Sequence, residues 1–224
     1  MINRPQVVAI IPVRARDLVK SGGMPMLGGR PLISYTIEMA KRAKTIHRVI
    51  VSTDSESIRQ LAIELGAEAP FVRPPELAAA GVGLEQVLQH GLTWLESHEE
   101  YRPDIVVRLE ISHPFREDGL IDRVVDTLCE GELDTVFTAY EERHNFWRIN
   151  PQGELEAVTD EHHTRTGRAP LYKEIGGLVC ATTAETVRIG ERLGRRVGVV
   201  PLASWQALVD TQDEVGLDLA RRLL

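Results

Sequence analysis

Short apolar runs rich in β-branched residues recur along the first 140 positions of the chain. Such runs are typical of strands buried on both faces, because a half-exposed strand would alternate apolar and polar residues. They lie at 7–12, 48–53, 105–107 and 135–139. Segments with apolar residues at helical spacing separate them, and these predict helices that begin at Pro31 and Ser55 and that cover 84–98 and 118–130. The alternation predicts an α/β fold with a mostly parallel sheet covered by helices on both sides.

Residues 141–157 break this alternation with a shorter, turn-rich pattern. The sequence Asn-Pro-Gln-Gly at 150–153 predicts a turn between two strands, and a polar segment typical of a loop follows. We interpret 141–170 as a small excursion from the sheet, suited to a dimer contact or a lid. Its candidate dimer contacts are Phe146 and Trp147, since aromatic residues are enriched in interface cores.

The last quarter of the chain returns to the alternating pattern, so we expect one domain over 1–224 rather than two. The predicted elements are a strand at 175–181, a helix at 184–193, a strand at 197–201 and a helix at 211–224. Thr211 and Glu214 have the spacing of a capping box, in which the first side chain caps the helix N-terminus.

Composition excludes several classes of protein. No segment approaches the roughly 18 unbroken apolar residues of a membrane span, and the first residues do not resemble a secretion signal. We therefore expect a cytoplasmic protein without membrane contact. Cys129 and Cys180 lack the spacing of a metal site or a disulfide scaffold, so both are expected in the core. The net charge of −7 argues against nucleic acid as a partner.

Charge is distributed unevenly along this acidic chain: residues 1–48 carry nine basic and only two acidic side chains. Arg14, Arg16 and Lys20 lie in the loop after the first predicted strand, together with the pair Gly22–Gly23. In open α/β sheets ligands bind beyond the carboxyl ends of the strands, and a cationic, glycine-bearing loop there suits a polyphosphate. The loop is neither a P-loop nor a dinucleotide fingerprint. An ordinary basic surface loop is the alternative.

Four fragments stand in order in the first third of the chain. They are AIIPVR at 9–14, LGGRPLISYTIE at 27–38, RVIVSTD at 48–54 and FVRPPELA at 71–78. Together they resemble the acylneuraminate cytidylyltransferases, the CMP-sialic acid synthetase family. The resemblance implies a Rossmann-like, three-layer nucleotidyltransferase fold and a homodimer built on the excursion. It also implies CTP, Mg²⁺ and a 2-keto-3-deoxy sugar acid whose hydroxyl attacks the α-phosphate and expels pyrophosphate.

The resemblance assigns the nucleotide side of the site. Arg14 falls on the arginine that contacts the triphosphate, and Lys20 lies near the family's loop lysines, with Gly22 and Gly23 beside it. Both cations would bind and polarise phosphate oxygens. Arg73 falls on the arginine of the RP-x-E-L motif, which helps to read the cytosine. The alternative for Arg73 is a structural arginine that flanks a helix.

Other matches carry substitutions. Glu110 replaces a glutamine that contacts the substrate, and Leu208 replaces the first aspartate of the metal-binding pair whose second member is Asp210. We hypothesise that Glu110 supplies the lost Mg²⁺ ligand beside the catalytic Asp210, because Mg²⁺ prefers carboxylate oxygens. The alternative places Asp210 merely beside a helix N-cap. The implied substrate contacts are Glu110, Arg165 and Tyr172.

Three functions therefore stay open. The first is transfer of CMP from CTP to a nonulosonic sugar acid. The second keeps this chemistry with another acceptor, such as a phosphonate, because the changes at Glu110, Ile175 and 79–83 fall where acceptor contacts would lie. The third is a nucleotide-binding homologue that keeps the fold and the dimer but not catalysis.

Overall fold

A seven-stranded sheet with helices on both faces forms the centre of the protein. The computed structural model describes residues 4–19, 23–158 and 164–224, except for the side chains of Val19 and Arg165. The strands are β1 (Val7–Val13), β2 (Met26–Leu27), β3 (Arg30–Pro31), β4 (Arg48–Thr53), β5 (Ile105–Arg108), β6 (Thr135–Glu142), β7 (Trp147–Ile149), β8 (Leu155–Ala157), β9 (Leu171–Glu174), β10 (Cys180–Thr183) and β11 (Val197–Pro201). The α-helices are α1 (Ala15–Val19), α2 (Leu32–Arg42), α3 (Glu56–Glu64), α4 (Leu84–His98), α5 (Leu120–Glu130), α6 (Ala184–Arg188) and α7 (Glu214–Leu223), and 3₁₀ turns cover Pro75–Ala78, Arg165–Gly167 and Trp205–Leu208.

The sheet has the order β11–β6–β10–β5–β1–β4, and β9 also pairs with β6. Strands β1, β4, β5, β6 and β11 run in one direction, while β9 and β10 run against them. Helices α2, α3 and α5 pack their apolar faces on one side of the sheet, and α4 and α6 pack on the other. The three-layer α/β fold with a mostly parallel sheet is confirmed.

Strand order reverses between β1 and β5. Strand β1 pairs in parallel with β4 on one side and with β5 on the other. The chain runs from β1 to β4 and later returns to β5, so a crevice opens beyond the carboxyl ends of these strands. Arg14, Asp54 and Leu109 directly follow the three strands, and the partly exposed Arg14 and Asp54 line the approach to this crevice, whereas Leu109 is buried in the core.

The strand predicted at 175–181 is wrong in its bounds. One strand, β9, ends before residue 175, and a second strand, β10, begins only at Cys180. Both strands pair antiparallel with β6. Between them residues 175–179 leave the ladder and face a single residue of β6, Thr138. Gly176 and Gly177 lie in this segment, and glycine weakens a strand interior. We call 175–179 the glycine loop.

The glycine loop extends towards β5. The N–H of Glu110 donates to the carbonyl of Gly177 at 2.8 Å. Thr138 holds the base of the loop, since its hydroxyl donates to the carbonyl of Ile175 at 2.7 Å. The loop therefore closes the crevice on the side opposite to β4.

The helix predicted at 184–193 is shorter than expected. Helix α6 ends at Arg188, and Gly190 follows with φ of +76°, a left-handed conformation that favours glycine and ends helices. Of the two cysteines, Cys180 is buried as expected, whereas Cys129 is exposed, so its predicted place in the core is wrong.

The last helix does not begin with the predicted capping box. Asp213 is the N-cap of α7, and its carboxylate accepts the N–H of Gly216 at 2.8 Å. Thr211 instead donates from its N–H and its hydroxyl to the carbonyl of Ser112, at 2.8 and 3.0 Å. This pair of bonds holds Asp210 against the loop that follows β5.

The predicted turn at 150–153 is confirmed, because β7 and β8 form an antiparallel hairpin on either side of it. The hairpin leaves large apolar side chains in solvent. Trp147 is 51% exposed, Ile149 73% and Leu155 66%. None of the helices that the structure describes combines the length and the hydropathy needed to cross a membrane.

Candidate functional site

Arg14 and Asp54 line the crevice on its β4 side. Asp54 accepts the N–H of Ala15 at 2.9 Å, which fixes α1 against the end of β4. Arg14 donates from Nε to Asp17 at 2.8 Å, and its Nη1 lies 3.5 Å from the carbonyl of Ala79. Exposed ion pairs such as Arg14–Asp17 contribute little free energy. Asp17 can therefore give way to a phosphate oxygen at Arg14.

Arg73 binds the end of β1 next to Arg14 and is 1% exposed. Its Nε donates to the hydroxyl of Ser52 at 3.1 Å, and its Nη2 donates to the carbonyls of Ser52 and Val13. Burial lowers the pKa of Arg73 to about 10, while the charge of Asp54 raises it and that of Arg14 lowers it. The guanidinium thus joins the ends of β1 and β4, so Arg73 has a structural role, as the alternative expected, and it lies two residues before the 3₁₀ turn Pro75–Ala78. Its contact with a cytosine stays a prediction.

Part of the N-terminal basic excess lies away from the crevice. Arg30 and Arg42 both bind Glu38 on α2. Arg48 begins β4, at the opposite end of that strand from Asp54, and binds Glu99 at 2.7 Å. The charge count along the sequence therefore overstated the positive charge available to a ligand.

Arg116 organises the β5 side of the crevice. It is 6% exposed and donates to five acceptors. The acceptors are the carbonyls of Glu110, His113, Gly177 and Leu178 and the hydroxyl of Thr36. Burial lowers the pKa of Arg116 to about 9, and the charge of Glu110 raises it. One side chain thus joins α2, the loop after β5 and the glycine loop.

His113 lies beside both acids that the sequence assigned to the metal. Its Nε2 lies 2.9 Å, and the carboxyl carbon of Glu110 lies 3.1 Å, from the position that a Cβ on Gly177 would occupy. Burial lowers the pKa of His113 and outweighs the opposing charge of Asp210. His113 is therefore neutral near pH 7. The bonds of Thr211 to Ser112 bring the segment of Asp210 against the loop that carries Glu110. Within the described ranges, no hydrogen bond or ion pair connects either acid with Arg14 or Arg73.

Glu110 has an ionic partner that the sequence analysis missed. Nη1 of Arg108, the last residue of β5, lies 3.8 Å from Oε1 of Glu110. The sequence signal that could have pointed to Arg108 is a charged residue at the end of an otherwise apolar strand, Ile-Val-Val-Arg. Arg116 gave no periodic signal, because it lies in a loop.

Several predicted site residues lie outside these contacts. Lys20 and Gly22 are outside the described residues, as is the side chain of Arg165, so their assigned roles stay predictions. Gly23 has φ of +126°, which favours glycine. Tyr172 lies on β9 and is 44% exposed.

Mg²⁺ would need a carboxylate ligand here. Across residues 4–19, 23–158 and 164–224, no three His, Cys, Asp or Glu side chains converge to hold a metal. Mg²⁺ requires fewer protein ligands than that, because it keeps several waters and binds substrate phosphates. Asp210 suits such a site: it is exposed, and its Oδ1 accepts only the N–H of Gln212, at 3.0 Å, within the described chain.

A family model described as cytidylyltransferase matches residues 9–164. The chain belongs to the cytidylyltransferase family. Its members are nucleotidyltransferases. The family resemblance that the sequence analysis noted is therefore confirmed.

Several relatives are similar to this cytidylyltransferase-family chain. The pseudaminic acid cytidylyltransferase of Campylobacter jejuni is 27% identical, and the match covers 79% of this chain and 78% of the relative. The CMP-N,N'-diacetyllegionaminic acid synthase of Legionella pneumophila is 26% identical, with 81% and 80% covered. The post-translational flagellin modification protein B of Campylobacter coli is 29% identical, but the chain spans only 54% of its length.

Two solved structures share the fold at 14% identity. The 4-diphosphocytidyl-2C-methyl-D-erythritol synthase of Anaerococcus prevotii has a TM-score of 0.72 and covers 99% of both chains. The CMP:2-keto-3-deoxy-manno-octonic acid synthetase, solved with CTP, has a TM-score of 0.67 and covers 97% of this chain and 98% of its own.

The role of Arg116 is tested by stability. We expect Arg116→Met to lower the free energy of unfolding by roughly 3 kcal/mol or more, because buried acceptors in three segments lose their donor. Urea denaturation measures the change. Arg123→Met, which removes an arginine with one exposed ion pair to Glu117, is the control and should change stability by less than about 0.5 kcal/mol. Equal losses in both variants would contradict the assigned role.

Proposed function

We propose that the protein transfers CMP from CTP to a 2-keto-3-deoxy sugar acid of the nonulosonic type and releases pyrophosphate. The observation that carries the proposal is the position of Arg14 at the end of β1, next to the carbonyl of Val13 that the buried Arg73 binds, at the switch-point crevice of a chain in this family. The names of the relatives, which act on pseudaminic and legionaminic acids, support the acceptor class. The structural neighbour solved with CTP supports the donor.

The reaction forms one bond and breaks one. An acceptor hydroxyl oxygen attacks the α-phosphorus, the bond from that phosphorus to the bridging oxygen of pyrophosphate breaks, and the hydroxyl proton passes to solvent. Such transfer asks the protein mainly for positioning and for positive charge around the phosphate oxygens. Arg14 would supply that charge, with Lys20 from the same loop.

We further propose Asp210 as the carboxylate that holds Mg²⁺. When bound, this ion would neutralise charge on the triphosphate oxygens. Glu110 is the weaker candidate, because its carboxylate faces Arg108. Asp210 has no such ionic partner within 4.0 Å among the described residues.

The function is tested first by binding and then by turnover. We expect CTP with Mg²⁺ to raise the melting temperature more than ATP, GTP or UTP, because a ligand of the native state stabilises it by about 2.7 kcal/mol at a hundredfold excess over Kd. Pyrophosphate release is then measured with sugar acids and with phosphonates. Release only with phosphonates would change the acceptor class, CTP binding without release would favour a silent homologue, and no preference for CTP would contradict the proposal.

Arg14→Ala tests the phosphate role. We expect the KM for CTP to rise about tenfold or more, equivalent to about 1.4 kcal/mol of lost binding. Steady-state pyrophosphate release measures it. Arg42→Ala removes an exposed arginine of α2 and serves as the control, with an unchanged KM. The assignment is wrong if the two variants behave alike.

Asp210→Asn and Glu110→Gln separate the two metal candidates. We expect Asp210→Asn to raise the Mg²⁺ concentration for half-maximal rate about tenfold or more, because an amide oxygen binds Mg²⁺ less well than a carboxylate. Glu110→Gln should leave that concentration unchanged. A Mg²⁺ titration of the rate decides, and the opposite pattern would restore Glu110 as the compensating ligand.

We also propose a homodimer that buries the β7–β8 hairpin. Three exposed apolar side chains on one hairpin support this contact, since exposed apolar clusters mark interaction sites. Light scattering should give twice the chain mass of 25.0 kDa. Trp147→Glu with Ile149→Glu should give the monomer, while Val215→Glu, at a 77% exposed residue of α7, should not. A monomeric parent protein would end the proposal.

A further inference from the structure

Three buried arginines lie near the crevice, and they differ in how their donors are used. Arg73 and Arg116 are fixed by several carbonyl and hydroxyl acceptors. Arg108 is 7% exposed, and its buried Nε has no hydrogen-bond partner within residues 4–19, 23–158 and 164–224. Its one ion pair in these ranges is the 3.8 Å contact with Glu110, longer than a hydrogen bond.

Such a guanidinium is costly to the fold. Arginine carries five N–H donors, and a buried N–H donor of a charged group that makes no hydrogen bond destabilises the folded state. Glu174 lies near the same place but already binds Arg192 through two contacts, at 2.8 and 3.0 Å. The protein therefore leaves Arg108 largely uncompensated at the end of β5.

The surroundings of Arg108 suit a hydroxylated acid. Nη2 of Arg108 and Oε1 of Glu174 both lie within 2.6 Å of the position that a Cβ on Gly176 would occupy. Nε2 of His113 and the carboxyl carbon of Glu110 lie 2.9 and 3.1 Å from the corresponding position on Gly177. The two glycines thus leave room for these side chains to converge, so a cation stands beside the hydrogen-bond acceptors of Glu174, Glu110 and His113. The neighbouring carboxylates would repel a triphosphate, which has Arg14 on the opposite side of the crevice.

We infer that Arg108 is a specificity-determining residue, whose guanidinium donates to a carboxylate or hydroxyl oxygen of the acceptor sugar acid. The inference rests on the proposed function for the identity of the acceptor. Glu110 orients Arg108 and accepts from acceptor hydroxyl groups. An apolar residue at position 108 would favour an apolar substituent instead.

Isothermal calorimetry tests this directly. N-acetylneuraminate, 2-keto-3-deoxy-manno-octonate and their methyl esters are titrated into the protein with Mg²⁺ and an α,β-methylene analogue of CTP. We expect Arg108→Leu to weaken sugar-acid binding at least tenfold and to leave binding of the CTP analogue within twofold. Arg108→Lys should recover part of the loss. If the parent protein binds the acid more tightly than its methyl ester and Arg108→Leu does not, Arg108 binds the carboxylate. If Arg108→Leu loses the same affinity for the acid and for the ester, Arg108 binds a hydroxyl group.

Two further variants control for folding and for charge. Arg108→Leu combined with Glu110→Gln removes both charges, so it leaves no half-buried carboxylate without its partner, and it should bind the acid no more tightly than Arg108→Leu, because the contact of Glu110 with acceptor hydroxyl groups is weakened as well. Arg48→Leu removes a mostly buried arginine at the opposite end of the sheet and should bind acid like the parent protein. The inference would be overturned if Arg108→Leu and the double variant bound the sugar acid as tightly as the parent protein. It would also be overturned if these variants lost affinity for the CTP analogue alone.

Turnover distinguishes the inference from the proposed function. Pyrophosphate release by the parent with unchanged acid binding in Arg108→Leu overturns the inference alone. Arg108-dependent acid binding without release by the parent supports the inference and contradicts the proposed function. A parent protein that binds none of the acids overturns the inference.

Discussion

The buried guanidinium of Arg116 is the interaction on which the crevice depends. It joins α2 through the hydroxyl of Thr36, and the loop after β5 and the glycine loop through carbonyl groups that lie outside the sheet ladder. Burying a charge is costly, and five acceptors offset that cost only when all three segments are in place. The positions of Glu110, His113 and Gly177 are therefore fixed together rather than one by one.

The crevice has two halves with different electrostatics. On the β4 side, Arg14 is balanced by an exposed aspartate that a phosphate can replace. On the β5 side, Arg108 is buried against a glutamate at long range. A partly exposed, screened cation suits a highly charged ligand, whereas a buried cation among hydrogen-bond acceptors suits a weakly charged one. This division supports the proposal that a nucleotide binds on the β4 side and an acid on the β5 side.

Most of the architecture could be predicted from apolar periodicity. The strands at 7–12 and 48–53 and the helix at 84–98 were found because long, consistent patterns overcome local ambiguity. The strand at 175–181 was misplaced because Leu178 and Val179 are buried in a loop, where burial looks the same in sequence as in a strand. Thr211 matched a capping box, but a tertiary bond to Ser112 took its hydroxyl. The family resemblance located Arg14 and Arg73, yet it did not point to the ion pair between Arg108 and Glu110, although the two residues stand only two positions apart at the end of β5.

The glycine loop has a consequence for how such a protein can change over generations. Ladder pairing resumes in register on both sides of its five residues, and lengthening a surface loop costs little entropy. Insertions there would reshape one wall of the crevice without shifting a core strand. New acceptors could thus be adopted while the nucleotide half stayed the same.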